Sequence, residues 1–323
     1  MNSNPKISVI IVNYNGKKWM EKCIDSLKSQ TYKNLEIVIV DNASSDDSVE
    51  YIRSTFPAVT LVVSDQNRGF AGGNNLGISA STGEYIMLLN NDAWLENNAI
   101  EKLFNEMIEK KLDVIGPFEA KYDKTKTHFY ETQLDFFGHT INNKNTNNRF
   151  YLTGLCVLFS KQLYLETFGL DENFFMYFEE CDWFWRLNLL NKKYAYSHDV
   201  FVYHAGAGST GAGIKYLSFL WRNQNTLQML IKNYRWYNLL WVIPGYLIIN
   251  IFEMVFFLII FKPNISLSYL QGWWFNIINL PRTLQTRKWV QTNRVASDRE
   301  ILAKLYPGSA KFAHLIHFFS KNK

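Results

Sequence analysis

KISVIIVNYNG (6–16), NLEIVIVDNASSDD (34–47) and GEYIMLLNND (83–92) repeat one pattern: an unbroken apolar, β-branched run that stops abruptly at Asn, Asp or Ser. A strand with no apolar/polar alternation is covered on both faces, as in a parallel sheet. Helical spacing fills the gaps. It runs from Lys17 to about Ser29, and SSDDSVEYI (44–52) opens a second helix with Ser/Asp capping residues. VTLVV (59–63) reads as a third strand, and a glycine-rich turn with a short helix leads to the fourth. Strands separated by helices imply βαβ units, whose ligands sit beyond the carboxyl ends of the strands. Every such end here is polar: Asn13-Tyr14-Asn15-Gly16, Asp41-Asn42-Ala43-Ser44, Asp65 to Gly69, and Asn90-Asn91-Asp92.

Beyond about residue 115 the pattern loosens. Residues 118 to about 150 are polar and irregular and read as a mobile loop or a hairpin insert. YLTGLCVLFS (151–160) is another buried strand, followed by a helix, an aromatic loop and a helix reaching about Asn191. A last strand near Phe201–His204 ends in HAGAGST (204–210). After about Arg235 the character changes. Leu239–Phe261 has 19 apolar residues in 23, interrupted by Pro244, Gly245, Asn250 and Glu253. The length suits a tilted bilayer span, but Pro-Gly splits it near one end. A monotopic or re-entrant helix fits at least as well, and a buried helix closing the core is the alternative. The expected organisation is 1–235 as an α/β domain, with halves 1–115 and 116–235, and 236–323 as an apolar, basic helical extension.

The chain has 323 residues, 47% apolar and 16% aromatic, which excludes intrinsic disorder. Its net charge of +5 hides an asymmetry. From Lys262 to Lys323 ten Lys/Arg stand against Asp298 and Glu300, a net +8, so residues 1–261 carry +5 − 8 = −3. This points to a local anionic partner such as a membrane surface and not to a nucleic-acid coat. Cys23, Cys156 and Cys181 are odd in number and widely spaced, against a disulfide framework or zinc knuckle. A reducing cytosol fits. Ile7–Val12 is too short for a signal h-region.

Five places carry candidate chemistry. Asp41 at a strand end is able to accept from the imide N–H of uracil or thymine, or to cap the next helix. NRGFAGGNN (67–75) puts glycines before a helix, where phosphate is favoured, or makes a tight turn. It is neither GxGxxG nor a Walker loop. Asp92 is placed to hold a divalent cation against a diphosphate, or to cap a helix at Trp94-Leu95-Glu96. FFMYFEECD (174–182) sets three carboxylates among apolar residues. Burial there raises carboxylate pKa and suits a general base. The alternative is an acidic first helical turn with Asp182 paired to Arg186. His204, beside a glycine loop, completes a metal site or is structural.

These segments resemble family 2 inverting glycosyltransferases. SVIIVNYNG, IVIVDNASSDDSVE, NRGFAGGNN, GEYIMLLNND, FFMYFEECDWFWR and VYHAGAGS stand in that family's order, and the Arg222-Asn223 pair also fits. The likeness covers residues 5–235 and is greatest to the rhamnosyltransferase-like branch. It implies a GT-A fold with a mostly parallel central sheet flanked by helices, a nucleotide-diphosphate-sugar donor and Mn²⁺ or Mg²⁺. By position, Val12, Asn13, Asn15, Asp41, Asn67, Gly69, Phe70, Asn74, Asn90 and Asn91 would bind the nucleotide-sugar. Asp92 and His204 would hold the metal. Glu180 would be the base with Glu179 beside it, and Tyr177, Asp182 and Trp183 would meet the acceptor. Two departures stand out. The family's DxD is Asn90-Asn91-Asp92, and its Glu-Asp pair is Glu179-Glu180.

The expected activity is inverting transfer from a UDP- or dTDP-sugar, dTDP-rhamnose among them, to a hydroxyl of a glycan or polyprenyl-diphosphate-linked acceptor. The setting is cell-surface polysaccharide synthesis at the cytoplasmic face of the membrane, peripheral or monotopic. A sugar nucleotidyltransferase is the rival enzyme, although Asn13–Lys18 is a poor match to its Lys/Arg-bearing glycine loop. A non-catalytic nucleotide-sugar-binding scaffold is the alternative from another class.

Overall fold

The apolar runs become the central strands of one sheet. A computed structural model describes residues 4–121, 127–128, 131–143, 149–206 and 216–311. In chain order the first elements are β1 (Ile7–Asn13), α1 (Lys17–Lys28), β2 (Leu35–Asp41), α2 (Ser48–Thr55), β3 (Thr60–Val63), α3 (Gly69–Ala80), β4 (Tyr85–Leu89), β5 (Ala93–Leu95) and α4 (Ala99–Glu109). Then come β6 (Val114–Lys121), β7 (Thr127–His128), β8 (Glu131–Leu134), β9 (Thr140–Asn143), β10 (Cys156–Ser160), α5 (Lys161–Glu166), α6 (Glu179–Leu189) and β11 (Tyr194–His204). The helices α7 (Tyr216–Asn233), α8 (Trp236–Ile259), α9 (Pro263–Ile278), α10 (Leu280–Asn293) and α11 (Asp298–Lys304) follow.

Contacts divide the chain into two compact units, and neither follows a linear cut at residue 235. The first comprises Met1–Phe129, Leu152–Phe175 and Lys192–Ala212; the second comprises Tyr130–Tyr151, Met176–Asn191 and Gly213–Lys323. The reason is the packing of α7. Its Gln224 carbonyl accepts from Asn276 of α9, and the Tyr234 carbonyl accepts from Arg287 of α10 at 2.6 Å. α7, expected within the α/β domain by the boundary at 235, therefore belongs with the C-terminal helices.

In the first unit the strand order is β3-β2-β1-β4-β10-β6-β11-β5, with β7 on β6. The first four strands are parallel, as expected of βαβ units. β10 then enters antiparallel to both β4 and β6. One core layer sets Val9 and Ile11 against Met20, Ile24 and Leu27 of α1 and Ile100 and Leu103 of α4. Two expectations change here. Residues 114–121 are a strand of this sheet and not loop, because β10 and β11 supply both edges around Gly116-Pro117. Parts of the polar stretch (122–126, 129–130, 144–148) lie outside the described residues, as do 207–210 of the HAGAGST segment and the tail from 312. The expected Ser/Asp cap of α2 is also different: its N-cap Asp47 makes no capping bond and pairs with Lys17, while Asp46 accepts from Ser48 N.

In the second unit β8 and β9 form an antiparallel hairpin. Its Asp135 accepts from the Phe137, His139 and Ala310 amides. α8 is one unbroken helix with Pro244 inside it, so Pro-Gly does not split the apolar run. Gly245 is there for packing: a Cβ would strike the Phe137 ring of the hairpin. Only 28% of the most apolar stretch of α8 is buried, which removes the reading of α8 as a closing core helix. All three cysteines are buried and free.

Candidate active site

The first unit gathers its polar groups at the carboxyl ends of β1, β2 and β4. In-register pairing sets Asn13 opposite Asp41. Asn13 is fully buried, and its Nδ2 donates to Asp41 Oδ2 at 3.0 Å and to Ser44 Oγ at 3.3 Å. Its Oδ1 accepts from Asn91 Nδ2 at 3.0 Å. One amide thus ties the three strand ends together. Asp41 also accepts from Ser44 N at 2.9 Å, which leaves acceptor capacity on both oxygens. Asn15 takes the left-handed region (φ 53°) and closes the same loop, its Oδ1 accepting from Ser45 and Asp46 amides.

The glycine segment works differently from expectation. Gly69 starts α3, so Gly72 and Gly73 lie inside the helix instead of before it. The amides of Arg68, Gly69 and Phe70 donate to Asn42 Oδ1 (2.9 Å), Asn67 Oδ1 (2.9 Å) and the Phe175 carbonyl (2.8 Å). Protein acceptors therefore take the helix entry that phosphate was expected to use. The glycines serve close packing. At Gly73 a Cβ would stand 2.7 Å from Val12 Cγ1, and at Gly69 (φ +68°) it would strike the Phe175 carbonyl. Asn74 is buried and donates to Phe70 O. Asn42 holds this assembly to β2 by donating to Asn67 Oδ1 and Gly69 O, both at 3.0 Å. Nothing in the local sequence around Asp41-Asn42-Ala43-Ser44 marks Asn42 for this role.

Asp92 follows β4 and is 3% exposed. It precedes a short strand, β5, rather than capping a helix. Antiparallel pairing of β5 with β11 puts Ala93 opposite His204. His204 Nε2 lies 3.3 Å from Asp92 Oδ1, and Nδ1 lies 2.7 Å from Glu119 Oε1. Burial pushes the imidazole down, but the hydrogen bonds to Asp92 and Glu119 outweigh it and hold the pKa up to about 9. The ring is a cation bridging two carboxylates. Glu119 was missed because the stretch from 118 onward is polar and irregular and reads as loop. Asp92 Oδ2 is buried without a partner among the described residues. Among those residues no three His, Cys, Asp or Glu side chains gather as a metal cage. A carboxylate oxygen left open beside an imidazole still fits Mg²⁺ or Mn²⁺, which take one or two protein ligands and complete their shell with phosphates and water.

The second unit holds the acidic run. α6 begins on two successive left-handed residues, Tyr177 (φ 73°) and Phe178 (φ 68°), a costly entry for non-glycine side chains. Asn225 of α7, buried at 1% exposure, clamps it by donating to Met176 O (2.9 Å) and Tyr177 O (2.7 Å). Glu179 and Glu180 each keep one buried Oε2 without a partner among the described residues. Burial, with repulsion from Glu180, holds Glu179 well above the usual carboxylate range. Burial also raises Glu180, while backbone N–H groups and Arg222 work the other way. Arg222 lies over the Tyr177 ring at 4.6 Å, and the Tyr177 hydroxyl is 3.3 Å from Ser218 Oγ. Asp182 and Trp183 sit in the core and not at an acceptor surface. Trp183 is 1% exposed, and Asp182 accepts from Arg186 (3.0 Å), Lys232 (2.9 Å) and Asn233 (2.9 Å). The i+4 pairing with Arg186 was expected; the second cation and the amide were not.

A parallel sheet turned antiparallel at β10, with carboxylates at its strand ends, is the architecture of GT-A glycosyltransferases. Residues 8–168 match the family model of glycosyl transferase family 2, so the chain carries a domain of that family. α6 and His204 lie beyond the matched segment. GlyG of Streptococcus pneumoniae, a glycosyltransferase, is 34% identical over 135 residues, covering 40% of this chain and 45% of GlyG. The hyaluronan synthase of Pasteurella multocida is 32% identical over 114 residues, covering 34% of this chain and 12% of the synthase. These alignments span less than half the length of either relative. By fold, the chain resembles GalNAc-T7 solved with UDP, GalNAc and Mn²⁺ (TM-score 0.59, 14% identity, 72% of this chain and 48% of that one). It also resembles S. aureus TarS residues 1–349 with UDP-GlcNAc (TM-score 0.54, 18% identity, 71% and 67%).

Proposed function

We propose that the chain is an inverting glycosyltransferase using a UDP- or dTDP-sugar, with dTDP-rhamnose among the candidates, to glycosylate a hydroxyl of a glycan or lipid-linked acceptor for a cell-surface polysaccharide. The observation that carries this is Asp92 Oδ2: a buried carboxylate oxygen with no hydrogen-bond partner among the described residues, at a strand end of a family 2 domain. Asp41 would accept the base imide, Asn13 would hold Asp41 and Asn91 in register, and Asn90 would line the donor's approach. Asp92 and His204 would hold Mg²⁺ or Mn²⁺, which supplies charge compensation for the departing diphosphate. His204 must give up its bridging proton to act as a ligand.

Glu180 is the base in this reading. A base must be ionised before it takes the acceptor's proton, and of the two glutamates Glu180 has Arg222 opposing its burial. Glu179 is held further above the usual carboxylate range and so favours its protonated form, which would donate a hydrogen bond to the acceptor: two neighbouring carboxyls set to two tasks by environment. Of the two aromatics expected to meet the acceptor, Tyr177 and Trp183, Tyr177 is the acceptor-side one, since Trp183 is buried. The enzyme works at the cytoplasmic membrane surface, a setting supported by the uncovered apolar length of α8 and the basic C-terminal region. The test is nucleotide release from a panel of UDP- and dTDP-sugars with and without Mn²⁺, followed by NMR of the product anomer. Release with an inverted anomeric centre is expected. A retained configuration sinks the mechanism, and no release from any donor sinks the enzyme in favour of a binding scaffold.

A further inference from the structure

We propose that α8 lies flat in one leaflet of an anionic membrane, its axis parallel to the surface, and does not cross it. The inference deepens the membrane-surface reading above and rests on it.

The outer face of α8 is an apolar stripe. Leu240, Trp241, Ile248, Phe252, Val255 and Ile259 recur at helical spacing, each between 42% and 69% exposed. The polar residues of α8 are on the other face, and that face is covered by protein at every level. Near the N-terminus Asn238 donates to the Asp298 carboxylate, which also pairs with Arg294. Two turns on, Gly245 meets Phe137 of the β8–β9 turn, and Tyr246 donates to Asn223 O at 3.1 Å. Near the C-terminus Glu253 pairs with Lys311 and accepts from Tyr269.

A crossing helix would carry this whole escort into the hydrocarbon. Non-helical backbone and ionised side chains do not sit at bilayer depth unless buried in protein or lining water. Flat placement asks none of this of them. Length does not separate the two cases, since 24 residues make about 36 Å of helix against about 30 Å of hydrocarbon. What separates them is the polar escort just described. Exposed Arg235 immediately precedes α8 and exposed Lys262 follows its last turn, so both ends offer a cation to anionic headgroups. Trp236, Tyr237 and Trp241 add interfacial aromatics at the first end.

The test uses the full chain with single nitroxide labels at Leu240→Cys, Ile248→Cys, Phe252→Cys and Ile259→Cys. The native cysteines are buried, and the unlabelled parent reports their background. Depth is read from oxygen against nickel-chelate accessibility on phosphatidylcholine/phosphatidylglycerol vesicles. All four labels are expected at one shallow depth, about 5–10 Å below the headgroup boundary. A depth profile deepest at Ile248 with Leu240 and Ile259 near the surfaces means a span and overturns the proposal. So does absence of immersion, whether the labels stay in water or broaden one another in a second copy. Arg235→Gln and Lys262→Gln should each weaken vesicle binding by roughly fivefold. Nucleotide release is measured in parallel with a water-soluble acceptor. Flat insertion without release sinks only the glycosyl-transfer reading; release without insertion sinks only this one.

Discussion

The two units solve the same problem, holding acidic groups away from water, by opposite means. In the first, the backbone does it. Parallel strands in register deliver Asn13, Asp41 and Asn91 to one edge, and neutral amides link them. The carboxylate left open, Asp92, shares a charged imidazole with Glu119. In the second unit the backbone is strained at Tyr177 and Phe178, and side chains from a helix some fifty residues later hold it. There Asp182 is overmatched by Arg186 and Lys232, while Glu179 and Glu180 keep unsatisfied oxygens. Alignment by a sheet places each group through backbone register. A clamped helix entry gives carboxylates whose protonation depends on single distant residues.

The largest effect should come from the first unit. Asp92→Ala is expected to lower turnover by at least about a thousandfold, the upper range for removing one preorganised charge-stabilising group, and to remove most Mn²⁺-dependent donor binding. His204→Ala should lose less. Near-normal turnover of Asp92→Ala at limiting Mn²⁺ would break the assignment. Next is the second unit. Glu180→Gln should keep the fold and donor affinity but slow transfer to the acceptor by at least about a hundredfold. Glu179→Gln should be milder, because a glutamine still donates the hydrogen bond ascribed to a protonated Glu179. The reverse ranking would exchange their roles.

The contrast also explains what was legible in the sequence. β1, β2 and β4 were plain because a doubly covered strand cannot alternate, and Asp41 and Asp92 were plain because parallel strands end where ligands sit. β6 was hidden because its second half enters the polar, irregular stretch from 118, a character overridden by pairing to β11. The glycines of 69–73 suggested a phosphate loop. Their use depends on distant neighbours: Gly69 meets the Phe175 carbonyl, about a hundred residues on, and Gly73 meets Val12 of β1. The acidic run was visible, but not that Asp182 belongs to Lys232 and Asn233. Nor did local pattern show that the apolar stripe of α8 faces outward, since hydrophobicity counts do not say which face a neighbour covers.

A smaller effect sharpens the clamp. Asn225→Ala removes two hydrogen bonds to backbone carbonyls and should destabilise the chain by about 2 kcal/mol, at roughly 1 kcal/mol each. Glycine takes the left-handed region without penalty. In a Tyr177→Gly background the cost of Asn225→Ala should therefore shrink by about 1 kcal/mol, read as the coupling in a double-mutant cycle of denaturant midpoints. Strict additivity would show that Asn225 packs beside the turn without bracing it.

The smallest effect is a displacement in pH and not a loss of rate. The base works only when ionised, so turnover falls as pH drops through its pKa in the complex. Burial has already moved Glu180 upward, and Arg222 opposes that shift. Removing the guanidinium with Arg222→Met leaves burial unopposed, raises the pKa further and moves the acid limb of kcat to higher pH. Well above the limb the variant should recover most of its turnover. Arg222→Lys keeps the cation and should leave the limb near its original place, which separates charge from packing on the Tyr177 ring. Glu179→Gln is the decisive control. Glu179 has the more strongly raised pKa and holds its proton while Glu180 titrates, so replacing it should not move the limb. If Glu179→Gln moves the limb and Arg222→Met does not, the titrating base is Glu179, and the division of labour drawn here between the two glutamates is reversed.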